Sequence, residues 1–404
     1  MNLIREAEAQ LTQQFQRYEQ IAYANQEKVL KAMQKHHLRD SHFNTSSGYG
    51  YGDMGRDDLE SIYAAVLGAE DAMVRSQIVS GTHAISACLM ALLRPGDELV
   101  AIMGKPYDTL GKVIGRSVQD KATLLNRGIK YREVPLTPEG QPNYEVLTDY
   151  VGSSTKMVLI QRSRGYNLRP SLTIDELRRL IGRLRTINPH LIIFVDNCYG
   201  EFTDTLEPNQ VGADLIAGSL IKNPGGGLAP AGGYIAGGRE LVEEVAYHIT
   251  APGLGKELGA SLQNNRLLYQ GLFLAPHIVL QAMKGALLLS YVFERIGYKC
   301  YPRFNEQRGD IVQAVRMNSA EEVINFCQVV QNSSPVDSDV TLEYAPLPGY
   351  TDKIVMAAGT FIQGSSIEIS CDAPLREPYT VYYQGGLTYE HCRYVVSQLL
   401  KNFM

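Results

Sequence analysis

The stretch "ADLIAGSLIKNPGGGLAPAGGYIAG", residues 213–237, contains a single lysine, Lys222, between an apolar run and a run of glycines. A lysine that is merely solvated usually stands among other polar residues. The small and apolar neighbours of Lys222 instead predict a segment that is packed against a sheet. An amine in such a setting suggests a group that takes part in a reaction, not a charge that keeps the surface soluble.

The segments before this stretch alternate between helical and strand-like patterns. Helical spacing of apolar residues is found at 57–68, 81–93 and 173–188, and short apolar runs typical of strands at 71–80, 97–104, 156–163 and 191–197. Continuous apolar strands separated by helices are typical of a mostly parallel sheet with helices on both faces. The sequence therefore predicts an α/β fold, in which ligands collect at the carboxyl ends of the strands.

The pattern changes near residue 275, where a long helical stretch leads into a second set of elements. Strand-like runs follow at 310–317, 353–360 and 366–371, with helical runs at 319–331 and 388–403. Residues 1 to about 35 read as an amphipathic helix. We therefore predict an N-terminal helical arm and loop (1–45), a large ligand-binding domain (46–275) and a smaller C-terminal α/β domain (276–404).

The composition narrows the classes of function. The 404 residues carry a net charge of −5 without a Lys/Arg-rich run, which argues against nucleic acid as a partner. No run approaches about 18 consecutive apolar residues, so we expect no membrane span. The six cysteines contain no C-x-x-C pair and the histidines show no metal-ligand spacing, so we expect a cytoplasmic protein without a metal site.

Three features are expected at the carboxyl edge of the sheet. Asp196 follows the apolar run "LIIFV", the triplet "SGT" at 80–82 lies between a strand and a helix, and Ser219 precedes Lys222 by three residues. Each has an ordinary alternative, because an aspartate can cap a turn and "SGT" can be a simple helix N-cap. A phosphate-binding P-loop is excluded because the glycines follow the lysine here instead of preceding it.

Together these features suggest pyridoxal 5'-phosphate as cofactor. It requires a lysine amine for a Schiff base, an acid that keeps its pyridine nitrogen protonated, and a phosphate site. Lys222, Asp196 and the "SGT" triplet could supply the three. We also expect burial to lower the pKa of Lys222, which would make its amine nucleophilic near neutrality.

The order of these motifs resembles the aspartate-aminotransferase superfamily of pyridoxal-phosphate enzymes, fold type I. More narrowly, four segments look like the methionine gamma-lyase / cystathionine beta-lyase-like family known as aluminium-resistance proteins: "GYGYGDMGRDDLESIYAAVLGAEDAMVRSQIVSGTHAI", "KPYDTL", "VDNCYGEF" and "SLIKNPGGGLAPAGGYIAG". The resemblance runs over nearly the whole chain. It implies a carbon–sulfur lyase that acts on a sulfur amino acid such as cystathionine or methionine.

The resemblance also implies roles for individual residues. Lys222 would hold the cofactor and move the substrate's alpha proton, Asp196 would pair with the pyridine nitrogen, and Tyr107 would stack on the ring. Four small residues would hold the phosphate: Ser80, Gly81, Thr82 and Ser219. Tyr51 and Arg56 would reach the phosphate of a neighbouring subunit, with Tyr49 as the competing tyrosine. The active site would then require a homodimer, or a dimer of dimers.

Substrate binding is expected to use arginine, because a guanidinium matches a carboxylate in a bidentate fashion. Arg376 in the loop "APLREPY" is the candidate suggested by the fold type, and Arg162 and Arg164 end another strand and could line the same site. The alternatives are a surface salt bridge for Arg376 and rim charges for the other two.

Other functions remain open at this level. The same cofactor supports transamination, racemisation and aldol cleavage, and a chain can also bind it without catalysis. A nicotinamide oxidoreductase is disfavoured because no G-x-G-x-x-G opens a helix after the first strands. For a lyase, beta-elimination and gamma-elimination are the two alternatives.

Overall fold

The N-terminal arm is helical, as expected from its apolar spacing. The computed structural model describes residues 2–49, 51–262, 264–350 and 352–404. The arm consists of two helices, α1 (Asn2–Gln10) and α2 (Thr12–Lys35). The second helix packs along a long helix of the C-terminal half of the chain.

The larger sheet has seven strands within the described ranges. Their bounds are β1 (Asp71–Arg75), β2 (Glu98–Ala101), β3 (Lys130–Glu133), β4 (Thr155–Gln161), β5 (Ile192–Asp196), β6 (Leu215–Ser219) and β7 (Gly233–Gly237). The spatial order is β1-β7-β6-β5-β4-β2-β3. Strands β6, β5, β4, β2 and β3 are parallel, and β7 runs antiparallel to both β6 and β1. This mostly parallel sheet confirms the predicted fold class.

Helices cover both faces of this sheet. Their bounds are α3 (Met54–Leu67), α4 (Gly81–Leu92), α5 (Asp108–Ile114), α6 (Leu147–Tyr150), α7 (Ile174–Ile187) and α8 (Arg239–Ile249). Alternate side chains of a strand point to opposite faces. In β4, Met157 and Leu159 enter one apolar cluster while Val158 and Ile160 enter another, and all four are buried. The central strands of the sheet therefore form a core that is buried on both faces.

The second sheet belongs to the C-terminal part of the chain and is antiparallel. Its five strands in the described residues are β8 (Lys299–Tyr301), β9 (Gln313–Arg316), β10 (Ile354–Ala357), β11 (Ser370–Pro374) and β12 (Thr380–Gln384), in the order β10-β11-β12-β9-β8. Helices α10 (Ala320–Asn332) and α11 (Tyr389–Phe403) accompany it. The strand predicted at 366–371 in fact begins at Ser370, and β12 was not predicted.

A single long helix, α9 (Asn265–Arg295), leads from the large sheet to the small one and runs through the predicted boundary at 275/276. It is long and apolar enough to cross a membrane by length and composition alone, but 67% of its most apolar window is buried inside the protein. It contacts α2, α11 and the glycine-rich turn that follows Lys222. A buried core helix meets the same length and composition criteria. The domain boundaries themselves stay a prediction.

The glycines after Lys222 allow this contact. A Cβ atom on Gly226 would lie 2.2 Å from the carbonyl oxygen of Gly271 in α9, and one on Gly271 would lie 2.3 Å from the carbonyl oxygen of Gly225. Such distances are well inside van der Waals contact, so only glycine fits at this helix–turn crossing. This close contact with α9 fixes the position of the glycine-rich turn that follows Lys222.

Candidate active site

The carboxyl ends of the parallel strands open into a cavity of about 320 Å³ between the two sheets. Seven residues that the sequence singled out line it: Ser80, Gly81, Thr82, Tyr107, Asp196, Ser219 and Lys222. They come from loops or strand ends that are far apart in sequence. The topology of the sheet brings them together, as expected for a sheet of this type.

Lys222 lies three residues beyond the end of β6. Its Nζ is 3.9 Å from the centroid of the Tyr199 ring, a distance typical of a cation–π contact. Tyr199 itself adopts a φ of 71°, in the left-handed region that a residue with a side chain enters only at some cost. The strained turn after β5 therefore presents this ring directly to the lysine.

The pKa of Lys222 differs from our expectation. Burial alone lowers it, but the ionisable groups of Cys198, Tyr199 and Asp196 act in the opposite direction, and the net pKa lies well above the ordinary value. The prediction of a lowered pKa was therefore wrong, because it considered burial without the neighbouring groups. In the chain alone Lys222 is an ammonium ion, and it must lose a proton before it can act as a nucleophile.

Asp196 is the last residue of β5 and is only 3% exposed. Its Oδ1 accepts a hydrogen bond of 3.1 Å from the backbone N–H of Cys198, which fixes the carboxyl group at the sheet edge. Burial raises its pKa, while the charge of Lys222 opposes that shift. A buried carboxyl group that faces the cavity can hold a proton on a basic ligand atom.

The N-terminus of α4 lies on the same cavity. The Ser80 hydroxyl caps this helix by accepting a 3.0 Å hydrogen bond from the N–H of His83. The N–H groups of Gly81 and Thr82 belong to the first turn, which has no intrahelical acceptors and attracts anions. A Cβ on Gly81 would lie 3.2 Å from Ser219 Cβ, so the absence of a side chain there lets Ser219 join the group. Capping by Ser80 therefore leaves the N–H groups of Gly81 and Thr82 available to an anion.

Tyr107 forms another wall of the cavity. It precedes α5, and its backbone N–H donates a 3.3 Å hydrogen bond to Gln161 Oε1. The Tyr107 hydroxyl lies 3.5 Å from Thr82 Oγ1, close to the N-terminus of α4. Burial raises the pKa of Tyr107 well above its usual value, so the phenol is neutral. Its position is compatible with the predicted stacking role.

The loop predicted to serve a neighbouring subunit does not reach the cavity of its own chain. Tyr49 and Tyr51 are 79% and 76% exposed. Arg56 is buried in α3, where its Nε donates to Asp57 at 2.9 Å and its NH1 to the Gly48 carbonyl at 3.5 Å. One nitrogen of Arg56, NH2, has no hydrogen-bond partner among the described residues. The predicted roles of these residues stay predictions.

The arginines expected to bind substrate lie outside the cavity. Arg162 is fully buried, and its NH1 donates to Asn197 Oδ1 and the Gly200 carbonyl, both at 2.8 Å. This position corrects the expectation for Arg162, because the residue after Gln161 faces away from the cavity in the strand alternation. Arg376 is exposed at the rim, where it donates to Asp352 Oδ2 at 2.8 Å and to the Tyr166 carbonyl at 3.2 Å. Arg164 is also buried and donates to the Tyr301 carbonyl at 2.8 Å.

Several lining residues were not anticipated from the sequence. They are polar or aromatic and come from both sheets: Gln161, Tyr166, Tyr199, Tyr350, Asp372 and Gln384. Burial raises the pKa of Asp372 to about 6. In β11 the polar Ser370 and Asp372 face the cavity while Cys371 and Ala373 enter the apolar core. That alternation within "SCDA" is the signal that could have revealed the wall.

Known proteins resemble this chain over its full length. The family model described as methionine gamma-lyase matches residues 1–404. An uncharacterized protein of Bacillus subtilis, YnbB, is 48% identical over 99% of this chain and 95% of its own. A solved structure from Listeria monocytogenes, provisionally described as a cystathionine beta-lyase involved in aluminium resistance, is 47% identical, covers 100% of both chains and has a TM-score of 0.97. A carbon–sulfur lyase involved in aluminium resistance from Clostridium novyi is 45% identical, with a TM-score of 0.94 over 99% of this chain and 95% of its own.

Proposed function

Because this chain belongs to the methionine gamma-lyase family, whose members are pyridoxal-phosphate-dependent carbon–sulfur lyases, we propose that it cleaves a carbon–sulfur bond of a sulfur amino acid of the cystathionine or methionine type. The observation that carries this proposal is the convergence of Lys222, Asp196 and the N-terminus of α4 on one cavity.

The residues of the cavity fit the cofactor. An amine, a buried carboxyl group and an anion site are its three needs, and they lie on three different loops around one cavity. The small side of the cavity at Gly81 and the first-turn N–H groups of Gly81 and Thr82 suit a phosphate group. Of the described residues that line the cavity, Lys222 is the one with an amine side chain.

The protein groups divide the chemistry between them. When bound, pyridoxal phosphate supplies an aldehyde for a Schiff base and a ring that accepts electrons from the substrate's alpha carbon. Lys222 Nζ would hold the cofactor through its aldehyde group, and the same amine would take the alpha proton of the substrate. Asp196 would hold the proton of the ring nitrogen. Ser80, Thr82 and Ser219 would bind the phosphate, and Tyr107 would orient the ring. Loss of the sulfur substituent as a thiol then leaves a keto acid and ammonia after hydrolysis.

The reaction type can be tested with the purified holoenzyme. We expect L-cystathionine or L-methionine to yield thiol, keto acid and ammonia in equal amounts, because elimination releases all three together. The three products are measured in parallel, with L-alanine and L-threonine as amino acids that lack sulfur. Keto acid without thiol or ammonia would indicate transamination, and a complete lack of turnover with retained cofactor would indicate a binding protein.

Self-association is part of the proposal. The exposed Tyr49 and Tyr51 support a loop that completes the site of a neighbouring subunit in a homodimer or dimer of dimers, as does the Arg56 nitrogen that has no partner among the described residues.

The six cysteines are buried and none forms a disulfide, which supports a reducing compartment such as the cytoplasm.

A shared site predicts complementation between two inactive variants. In a hybrid dimer of Lys222→Ala and Arg56→Ala chains, one site carries both defects and the other carries neither. Co-refolding equal amounts should therefore restore about a quarter of the wild-type activity, because half of the dimers are hybrids with one intact site each. Activity is measured as keto acid release before and after mixing. A mixture that stays inactive while hybrid dimers form would show that Arg56 serves its own chain.

A further inference from the structure

Asp372 presents a carboxyl group to the cavity from the small sheet, opposite the strand ends that carry Lys222 and Asp196. Its Oδ2 accepts hydrogen bonds from the Tyr166 hydroxyl at 3.1 Å and from Gln384 Nε2 at 3.3 Å. Its Oδ1 has no donor in the part of the chain that the structure describes. One oxygen of this carboxyl group is therefore held in place and the other is available to a ligand.

Aromatic rings surround this carboxyl group. Burial raises the pKa of Tyr166, Tyr199 and Tyr350, and the negative charge of Asp372 adds to each shift. All three rings line the cavity, and those of Tyr166 and Tyr350 are 5.8 Å apart between centroids. A carboxylate and several aromatic rings on one cavity can together bind an ammonium group, the carboxylate through its charge and the rings through cation–π attraction.

The other charges of the cavity strengthen this reading. No arginine lines it among the described residues, and its one lysine is assigned to the cofactor. The wall that the small sheet forms therefore offers a site for a positively charged group and no site for a negatively charged one. A neutral S-methyl group would give the buried carboxylate no counter-ion and its Oδ1 no donor, which is costly, whereas a substrate ammonium would supply both.

We propose that Asp372, with Tyr166 and Tyr350, forms a subsite for an ammonium group on the sulfur substituent of the substrate. The substrate class is then an amino acid whose sulfur substituent carries an ammonium group, as in S-aminoalkyl cysteines. This inference rests on the proposed lyase function, and it favours a positively charged sulfur substituent over the neutral S-methyl group of methionine.

The subsite predicts selectivity for an ammonium group on the substrate side chain. Two pairs of compounds test it. S-(2-aminoethyl)-L-cysteine and S-propyl-L-cysteine are nearly isosteric and differ in the ammonium group, and both can undergo elimination. L-lysine and L-2-aminoheptanoic acid differ in the same way but contain no sulfur leaving group. The holoenzyme should cleave the aminoethyl compound with the higher kcat/KM and bind lysine more tightly than its neutral counterpart in calorimetric titrations.

Asp372→Asn should lower kcat/KM for the aminoethyl compound by about 10- to 100-fold, the loss of one charge-assisted contact, and should maintain or raise that for the propyl compound, because the neutral amide no longer requires a counter-ion. Asp339→Asn, which removes an exposed carboxylate of the C-terminal part, is the matched control and should change neither. Tyr166→Phe keeps the ring but removes the hydrogen bond to Asp372. It should reduce the selectivity less than Asp372→Asn does.

The outcomes separate the subsite from the lyase proposal. If Asp372→Asn lowers activity on both cysteine derivatives equally, Asp372 serves Lys222 or the fold and the subsite is wrong while lysis stands. If no sulfur compound is cleaved, the lyase proposal is wrong, and the titrations still decide on the subsite. Equal binding of lysine and 2-aminoheptanoic acid by the wild-type holoenzyme would overturn it.

Discussion

Replacement of Lys222 by alanine is expected to lower the rate of keto acid release by about 10³-fold or more, because one side chain both binds the cofactor covalently and moves the alpha proton. Covalent attachment should be lost at the same time, so that dialysis removes the visible colour of the purified holoprotein. Both effects follow from the position of Lys222 as the one described amine on the cavity.

Lys156→Ala is the matched control, because Lys156 is exposed on β4. It should retain colour and activity. Partial recovery of Lys222→Ala activity by added ethylamine would support proton transfer by the missing amine. A Lys222→Ala protein that still turns over sulfur amino acids at the wild-type rate would refute the assigned role.

The second large effect is expected for Asp196→Asn. An amide cannot hold a proton on the ring nitrogen as a carboxylate does, and we expect a loss of about 10²- to 10³-fold in kcat. The cofactor should still attach to Lys222, because the amine and the phosphate site are unchanged. Turnover and the absorbance of the bound cofactor are measured on the same preparation.

The thermal stability of Asp196→Asn should show whether its loss of activity comes from the changed chemistry or from misfolding. Burial raises the pKa of Asp196, so the ionised carboxylate opposes folding above the pKa of the unfolded chain. The amide oxygen that Asp196→Asn introduces can still accept the hydrogen bond from the N–H of Cys198. The thermal midpoint of the variant without cofactor should therefore match or exceed that of the wild type at pH 7. A lower midpoint would attribute the loss of activity to the fold.

The cofactor-facing half of the site could be predicted because it follows from sheet topology. Asp196 and Ser219 end apolar strands, Lys222 and Ser80 lie in the loops beyond strand ends, and parallel strands bring such positions to one edge. Chain order and hydropathy were enough to place these four residues around one cavity, without any knowledge of distances.

The substrate-facing half could not be predicted in the same way. Arg162 was chosen as a strand-end cation, yet Gln161 and Ser163 line the cavity and Arg162 between them turns into the core. One residue of strand register decides the difference, and the apolar run does not reveal it. Asp372 was missed because the strand was expected four residues too early, and its role depends on how the second sheet packs over the first.

The pKa of Lys222 could not be predicted from the sequence because it depends on neighbouring side chains. The fold brings these side chains to Lys222 from other parts of the chain. Cys198 and Tyr199 lie in the loop after β5, Asp196 is the last residue of β5, and Tyr107 lies in the loop after β2. Hydropathy around the lysine reports burial alone. The sign of the shift depends on three-dimensional contacts, and here those contacts outweigh burial.

The central claim is a covalent bond between pyridoxal phosphate and Lys222, and borohydride reduction followed by tryptic mass spectrometry tests it most directly. Trypsin does not cut after a modified lysine, and the chain has no other lysine or arginine between Arg185 and Arg239. The reduced holoprotein should therefore give one peptide, residues 186–239, that carries the cofactor mass. Separate unmodified peptides 186–222 and 223–239, with the cofactor mass on another lysine or nowhere, would contradict the account.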